Sequence, residues 1–449
     1  MRRDLTRFRD EARILLRIGF PVMVGNLLQV SMSTVDTLMA GHLGAQDLAA
    51  VALGSSLLMP VLILGIGILM GLSPIIAQHF GAGRMEQVGP TGRHGLVLAL
   101  ALAVPSVLAL WYTGPLLDWM GVDESLHGKT TGYTRAVSVG IVPMYVYLAL
   151  KYLNEGMAAT RPAMWVALIG LAFNVSGNYV FMYGKLGFPA MGAVGTGVAT
   201  AVVMTVMGLS MFLYTFLKPE YRSFGIFRHF RNLQGSVLTE LVRVGFPIGL
   251  SMWMEVTMFS VVALLIGTMG TVEVAAHQIA LNVASVTFMI AFGVSSGITV
   301  RVGQVFGRSG MDDARYAGLV GIAISAVYMV GMALVMVMVP ERIIGLYTTD
   351  TELVSRAVSL LMLAALFQLS DGLQVSGSGA LRGLKDTAIP MVVNFLSYWV
   401  IGLPLGWYVG IRSGWGPEGL WIGLILGLST AAILHNVRFW RISRRKPHP

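Results

Sequence analysis

Twelve stretches of apolar and small residues, each long enough to cross a bilayer, follow one another along this chain, and no soluble fold can bury so much apolar surface. They lie near 14–40, 48–72, 93–113, 134–153, 163–183 and 193–217, and then near 241–267, 274–300, 316–340, 355–381, 391–411 and 417–438. In hydrocarbon every backbone polar group must be satisfied by the protein itself, so continuous apolar runs of this length are helices. The expected fold is therefore an all-α polytopic membrane protein with twelve transmembrane helices. Composition agrees, with 55% hydrophobic and only 12% charged residues. The absence of cysteine excludes disulfides, thiolate catalysis, iron–sulfur clusters and Cys-based zinc sites.

The basic start MRRDLTRFRDEAR precedes an apolar run about twice the length of a signal-peptide core, so the first segment is read as a retained helix. If the N-terminus is cytoplasmic, only Lys129, Arg135, Lys185, Arg342, Arg356 and Arg412 of the 31 Lys and Arg residues fall outside. Positive residues stay on the cytoplasmic side, so both termini are expected there. The net charge of +9 then reports topology and contact with anionic lipid, and no nucleic-acid partner is expected.

The chain also contains itself twice. Gly19, Phe20, Pro21, Gly41, Gly44, Ala49 and Ala50 recur as Gly245, Phe246, Pro247, Gly267, Gly270, Ala275 and Ala276, at a constant offset of 226. Gln78, Phe80 and Gly81 recur as Gln304, Phe306 and Gly307, and Thr160 nearly matches Thr387. Six spans per half return the chain to the same side. The halves are thus expected to be parallel pseudo-symmetric six-helix lobes, 1–217 and 241–449, joined by a basic cytoplasmic connector at 218–240.

Within this repeat the exceptions are informative. Gln29 aligns with Glu255 and Asp36 with Val262. Acidic residues well inside the expected spans are Asp36, Glu255 and Asp371. At 1.5 Å per residue, Glu255 lies about 18 Å along its helix from Arg243 and Asp371 about 16 Å from Arg382, both near the midplane. Asp36 is about 28 Å from Arg17, nearer the outer end, where an interfacial carboxylate is the plain alternative. No Lys or Arg is expected in the span interiors. Midplane carboxylates without basic partners hold a mobile cation or a proton.

These residues resemble the multidrug and toxic compound extrusion family, specifically its NorM branch, over essentially the whole chain. Pro21 and Asp36 match the proline and aspartate of the family's first helix; Asn174 and Asn178 of FNVSGNYVFMYG match its polar pair on helix 5, and Thr200 on helix 6 is a looser match. Glu255 of MWMEVTMFS and Asp371 of FQLSDGLQ match the acidic pair of the C-lobe. The resemblance implies efflux of organic cations and drugs, contributing to antibiotic resistance, in exchange for protons or sodium. It also implies a monomer in the bacterial cytoplasmic (inner) membrane, without a cofactor. Bending at Pro21 would act as a hinge linked to Asp36. Phe367 stands where some sodium-binding relatives have tyrosine, and Phe288 likewise lacks a hydroxyl, which favours protons over sodium as the coupling ion.

The expected coupling site is Glu255 with Asp371, and the second proton or cargo site is Asp36 with Asn174, Asn178 and Thr200. Cargo contacts are expected from Met252, Trp253, Phe259, Met289, Phe288 and Phe367, whose soft or aromatic side chains suit lipophilic cations. The rivals are a lipid-linked oligosaccharide flippase, which needs basic residues in its cleft, an intramembrane enzyme using Glu255 and Asp371 as a dyad, and a passive channel. Several strings mislead. GVSSG (293 to 297) lies inside an apolar span where no strand-to-helix elbow forms, and HGKT (127 to 130) lacks the glycine spacing of a P-loop. Gly67 with Gly71 and Gly423 with Gly427 read as helix-packing faces.

Overall fold

The computed structural model describes residues 2–227 and 233–444; part of the basic connector (228–232) and the end of the basic tail (445–449) lie outside the described residues. The fold is all helical. Its long helices are α1 (Arg2–Gly41), α2 (Ala45–Gly81), α3 (Met85–Trp111), α4 (Glu124–Gly156), α5 (Arg161–Met182), α6 (Gly192–Leu217), α7 (Gly235–Gly267), α8 (Thr271–Ser309), α9 (Met311–Met338), α10 (Thr351–Gly383), α11 (Ala388–Arg412) and α12 (Pro417–Arg444). Eleven of these are each long and apolar enough to cross a membrane, and α4, bent by 45° around Gly140, completes twelve when its two parts count as one span.

Helix α4 starts about ten residues before the apolar run that announced it at 134. Its first turns carry Thr130, Thr131 and Thr134, polar by composition but buried, so hydropathy undercounts them. Asp123 caps this helix by accepting the Ser125 N–H at 2.8 Å, and hydrogen bonds from the Ser125 hydroxyl and N–H hold its carboxyl below the usual carboxylate range.

The repeat extends to backbone conformation. Gly44 and Gly270, 226 apart, turn the chain into α2 and α8 with φ of 126° and 151°, values open to glycine alone. Ala158 and Lys385, 227 apart, follow α4 and α10 in the left-handed region at φ 61° and 60°. The one-residue slip between these pairs marks a single insertion in the second half before α10 ends.

The helices form two compact units, one spanning Val24–Gly249 and the other combining the chain up to Met23 with Leu250 onward. Both divisions fall within a helix, two residues after Pro21 in α1 and two after Pro247 in α7, and Met23 and Gly249 are again 226 apart. Proline removes a backbone hydrogen bond within each helix, so these are the places where the helices bend most cheaply.

Small residues explain how the starting halves of α1 and α7 are held. In the first unit, Gly67 and Gly71 of α2 meet Gly245 and Gly249 of α7 so closely that a Cβ on Gly71 would lie 2.7 Å from Gly245 Cα, while one on Gly245 would strike the Ile68 carbonyl. In the second unit the aligned residues Gly19 and Met23 of α1 meet Gly293 and Gly297 of α8. Without a hydrophobic drive between helices in lipid, such backbone-to-backbone approach supplies the attraction. The second unit further grips α1 by a bidentate ion pair from Arg301 to Glu11, at 2.5 and 2.8 Å. Gly423 and Gly427 serve the same purpose between α12 and α11, against Gly402 and Gly406.

Replacing Gly245 by valine is therefore expected to reduce the yield of folded protein sharply, since overpacking at one such contact costs roughly 1–3 kcal/mol or more. Gly293→Val should behave alike, whereas Gly331→Val, which meets nothing within 4 Å, should not. Monodispersity after detergent extraction checks this, and equal yields of all three would refute it.

Candidate functional site

In the unit Val24–Gly249, Asp36 is held by two amides. Asn174 and Asn178 lie four residues apart on α5, hence on one face, and donate to the same Asp36 oxygen, Oδ1, at 2.8 and 2.6 Å. Asn178 begins a wide π-helical turn, Asn178–Met182, which ends α5. Both asparagines are buried, and their own carbonyl oxygens accept no hydrogen bond. The arrangement thus offers a carboxylate with two amide oxygens in reserve, able to receive a proton or a cation. Thr200 is not among the donors to Asp36; its hydroxyl donates to the Thr196 carbonyl of its own helix at 2.9 Å.

In the unit from Leu250 onward, Glu255 of α7 and Asp371 of α10 line one cavity of about 390 Å³. Phe259, Phe288, Met289 and Phe367 line the same cavity, so the expected cargo contacts and the expected coupling pair share one chamber. Met252 and Trp253 are not among its lining residues, and Trp253 is 37% exposed. The size falls in the range of small-molecule sites, which combine apolar walls with a few fixed polar groups.

The walls are closely packed where they meet the acids. Phe367 is buried, packed edge-to-face on Phe259 and on Trp421 with ring centroids 6.0 and 5.8 Å away. It therefore belongs to the core as well as to the cavity. Glu255 accepts a hydrogen bond from the Tyr398 hydroxyl, and that hydroxyl in turn accepts one from Gln374 Nε2 at 2.8 Å. Tyr398 sits in a π-helical stretch of α11, Leu396–Gly402. In both units, then, a π turn presents the side chain that holds the acid. Such widened turns recur at functional sites because they re-aim side chains that a regular helix would direct elsewhere.

Two expectations need correction. The acids are not remote from basic groups: Arg382, at the end of α10, is 5% exposed and its charge acts on Glu255, while its Nη2 donates to Ser295 Oγ at 2.7 Å. Its long side chain lets a residue counted as terminal reach inward, which depth along the helix axis does not register. Second, the buried acids include Glu155 of α4, 2% exposed, with Lys151 9% exposed beside it. Arg93 is buried as well, donating to the Gly225 carbonyl at 3.0 Å. None of these basic residues lines the cavity.

Tyr398, Gln374, Arg382, Glu155 and Lys151 were not singled out from the sequence. Gln374 carried a signal, being a polar residue three after Asp371 inside an apolar span, whereas Tyr398 in SYWVIG looks like any apolar-facing aromatic.

Comparison with known proteins places this arrangement. The MatE family model matches residues 21–180 and 247–408, two segments whose starts are again 226 apart. The chain is 39% identical to multidrug resistance protein NorM of Vibrio vulnificus over 98% of this chain and 97% of that protein, and 38% identical to the protein of the same name from Photobacterium profundum, over 96% and 95%. Its fold matches a solved outward-facing multidrug resistance MATE family transporter with a TM-score of 0.87 at 21% identity, covering 97% of each chain. A chain that matches the family model twice, at the repeat interval, and that matches curated members over nearly its whole length is a membrane transporter belonging to the multidrug and toxic compound extrusion family.

Proposed function

We propose that the protein exports lipophilic organic cations in exchange for protons, by alternating access. The observation that carries this reading is the cavity in which Glu255 and Asp371 stand together on largely apolar and aromatic walls, with Ser260, Gln278 and Ser285 as the other polar residues of the lining. Two carboxylates in one desolvated chamber favour binding of positive charge, and one chamber open to both a proton and an organic cation makes their occupancy mutually exclusive. Mutual exclusion is the thermodynamic core of exchange, because each ligand weakens the other's binding by the same factor. The names of the relatives, multidrug resistance proteins, support a broad cargo range, and aromatic and methionine walls that repack suit it.

Protons are favoured over sodium because Phe367 and Phe288, which line the cavity beside the two acids, bring no oxygen to it. A sodium ion needs several hard oxygens at once. The positive-inside pattern supports cytoplasmic termini, and the family supports a bacterial inner-membrane location. The flippase alternative loses support from a cavity lining that includes no Lys or Arg.

The test is efflux of a fluorescent organic cation from proteoliposomes under an imposed pH gradient or an imposed sodium gradient. Uphill movement driven by the pH gradient is expected. Movement driven by sodium alone would reverse the assignment of the ion, and no movement under either gradient would overturn exchange.

A further inference from the structure

The buried charges of α4 are used by neither site described above. Tyr147, Lys151 and Glu155 follow one another at four-residue intervals, so they share one helix face, and they are 1%, 9% and 2% exposed. Lys151 Nζ stands 3.8 Å from Glu155 Oε1, near the limit of an ion pair, and that oxygen accepts no hydrogen bond. A buried pair stabilises a fold only when its geometry is tight and its remaining lone pairs are satisfied. This pair meets neither condition, so stability alone does not account for it.

The surroundings leave Lys151 as the charge acting on Glu155. Helix α4 packs against α2, α3 and α6. The titratable groups of these helices and of the adjoining connector are otherwise engaged. Arg93 donates to the Gly225 carbonyl, and His94 bridges the Pro90 carbonyl and the Gln234 N–H, which donates to Nε2 at 2.8 Å. The Tyr221 hydroxyl donates to Asn154, and Tyr214 accepts from Lys218 at 3.1 Å. His79 of α2 also has a partner.

Toward the other end the column continues. Tyr147 hydrogen-bonds Gln29 of α1 and feels the charge of Glu155. Seven residues further along α1, about 10 Å at 1.5 Å per residue, stands Asp36 with its two amides. The second half shows that the fold does not require this column. At the offset of 227 that fits α4 to α10, the position of Glu155 carries Arg382 and that of Lys151 carries Ser378.

We propose that Glu155, with Lys151 beside it, is a second proton-exchange site, which takes the proton released by Asp36 and delivers it to the aqueous phase at the opposite end of the column. One proton leaves the Asp36 carboxyl and one joins the Glu155 carboxylate, carried by water and the Tyr147 hydroxyl. Lys151 remains an ammonium throughout, and loss of the proton to solution restores the pair. The proposal rests on proton coupling as read above.

The experiment compares wild type, Glu155→Gln and the double variant Glu155→Gln with Lys151→Gln in proteoliposomes. Two rates are measured: pH-gradient-driven efflux of an organic cation, and counterflow of the same cation, which needs no net proton transfer. The expected result is a loss of about tenfold or more in driven efflux, the scale of removing a proton-transfer group, with counterflow retained. Unchanged driven efflux in both variants would overturn the proposal. So would parallel loss of both rates, or loss of folded protein in both variants, since either makes the pair structural. If wild type itself shows no pH-driven efflux, it is the coupling reading that fails, independently of Glu155.

Discussion

Replacing Glu255 by glutamine is expected to abolish pH-driven efflux, by at least about 100-fold, while the protein remains folded. Glutamine keeps the shape of the side chain and an oxygen to accept the Tyr398 hydroxyl hydrogen bond, so the chain of contacts from Gln374 through Tyr398 survives. What is lost is the ionisable group at the wall of the cavity. Asp371→Asn should behave alike, because the two carboxylates act on each other and share one chamber. Their losses should not add: once one member of a pair that binds a single charge is gone, removing the other changes little. Driven efflux of the two single variants and the double variant, each normalised to folded protein, checks this. Wild-type transport by either single variant would remove that carboxylate from the coupling site.

Much of the architecture could be read from the sequence, because the hydrocarbon core imposes one rule on every span and a repeat doubles each signal. Gly67 with Gly71 is visible as a small-residue spacing and Gly245 as a repeat landmark, and the structure shows them meeting backbone to backbone, with Gly249 joining them. Glu255 stands out because nothing in a shared fold explains a carboxylate where the repeat has Gln29, and Asp371 because it is an acid well inside an apolar span. The missed residues gave weaker signals of burial. Tyr398 reads as an apolar-facing aromatic until a π turn aims its hydroxyl at Glu255. Arg382 and Glu155 sit at helix ends, where charge is ordinary, and only burial reveals that they point inward. Hydropathy measures depth along a helix; it carries no information about which way a long side chain runs.

Two substitutions at Asp36 separate its structural role from its chemical one. Asn174 and Asn178 both donate to Oδ1, and both side chains are buried. Asp36→Ala leaves two amide donors without an acceptor, and each buried orphan costs roughly 1–3 kcal/mol, so a marked fall in thermal stability is expected. Asp36→Asn retains an oxygen that can accept the same two bonds, so stability close to wild type is expected. Neither variant can carry the charge change, and both should lose pH-driven efflux. Thr200→Ala supplies the contrast, since its hydroxyl bonds only back to Thr196 among the bonds seen, and a change within about 0.5 kcal/mol is expected with transport intact. The melting temperatures in detergent and the efflux rates of these three variants decide the matter together. An Asp36→Asn protein that melts as early as Asp36→Ala would show that the amides recognise the charge and not merely the oxygen. An Asp36→Asn protein that transports normally would leave the first-half acid as a packing element and place the whole of the coupling at Glu255 and Asp371.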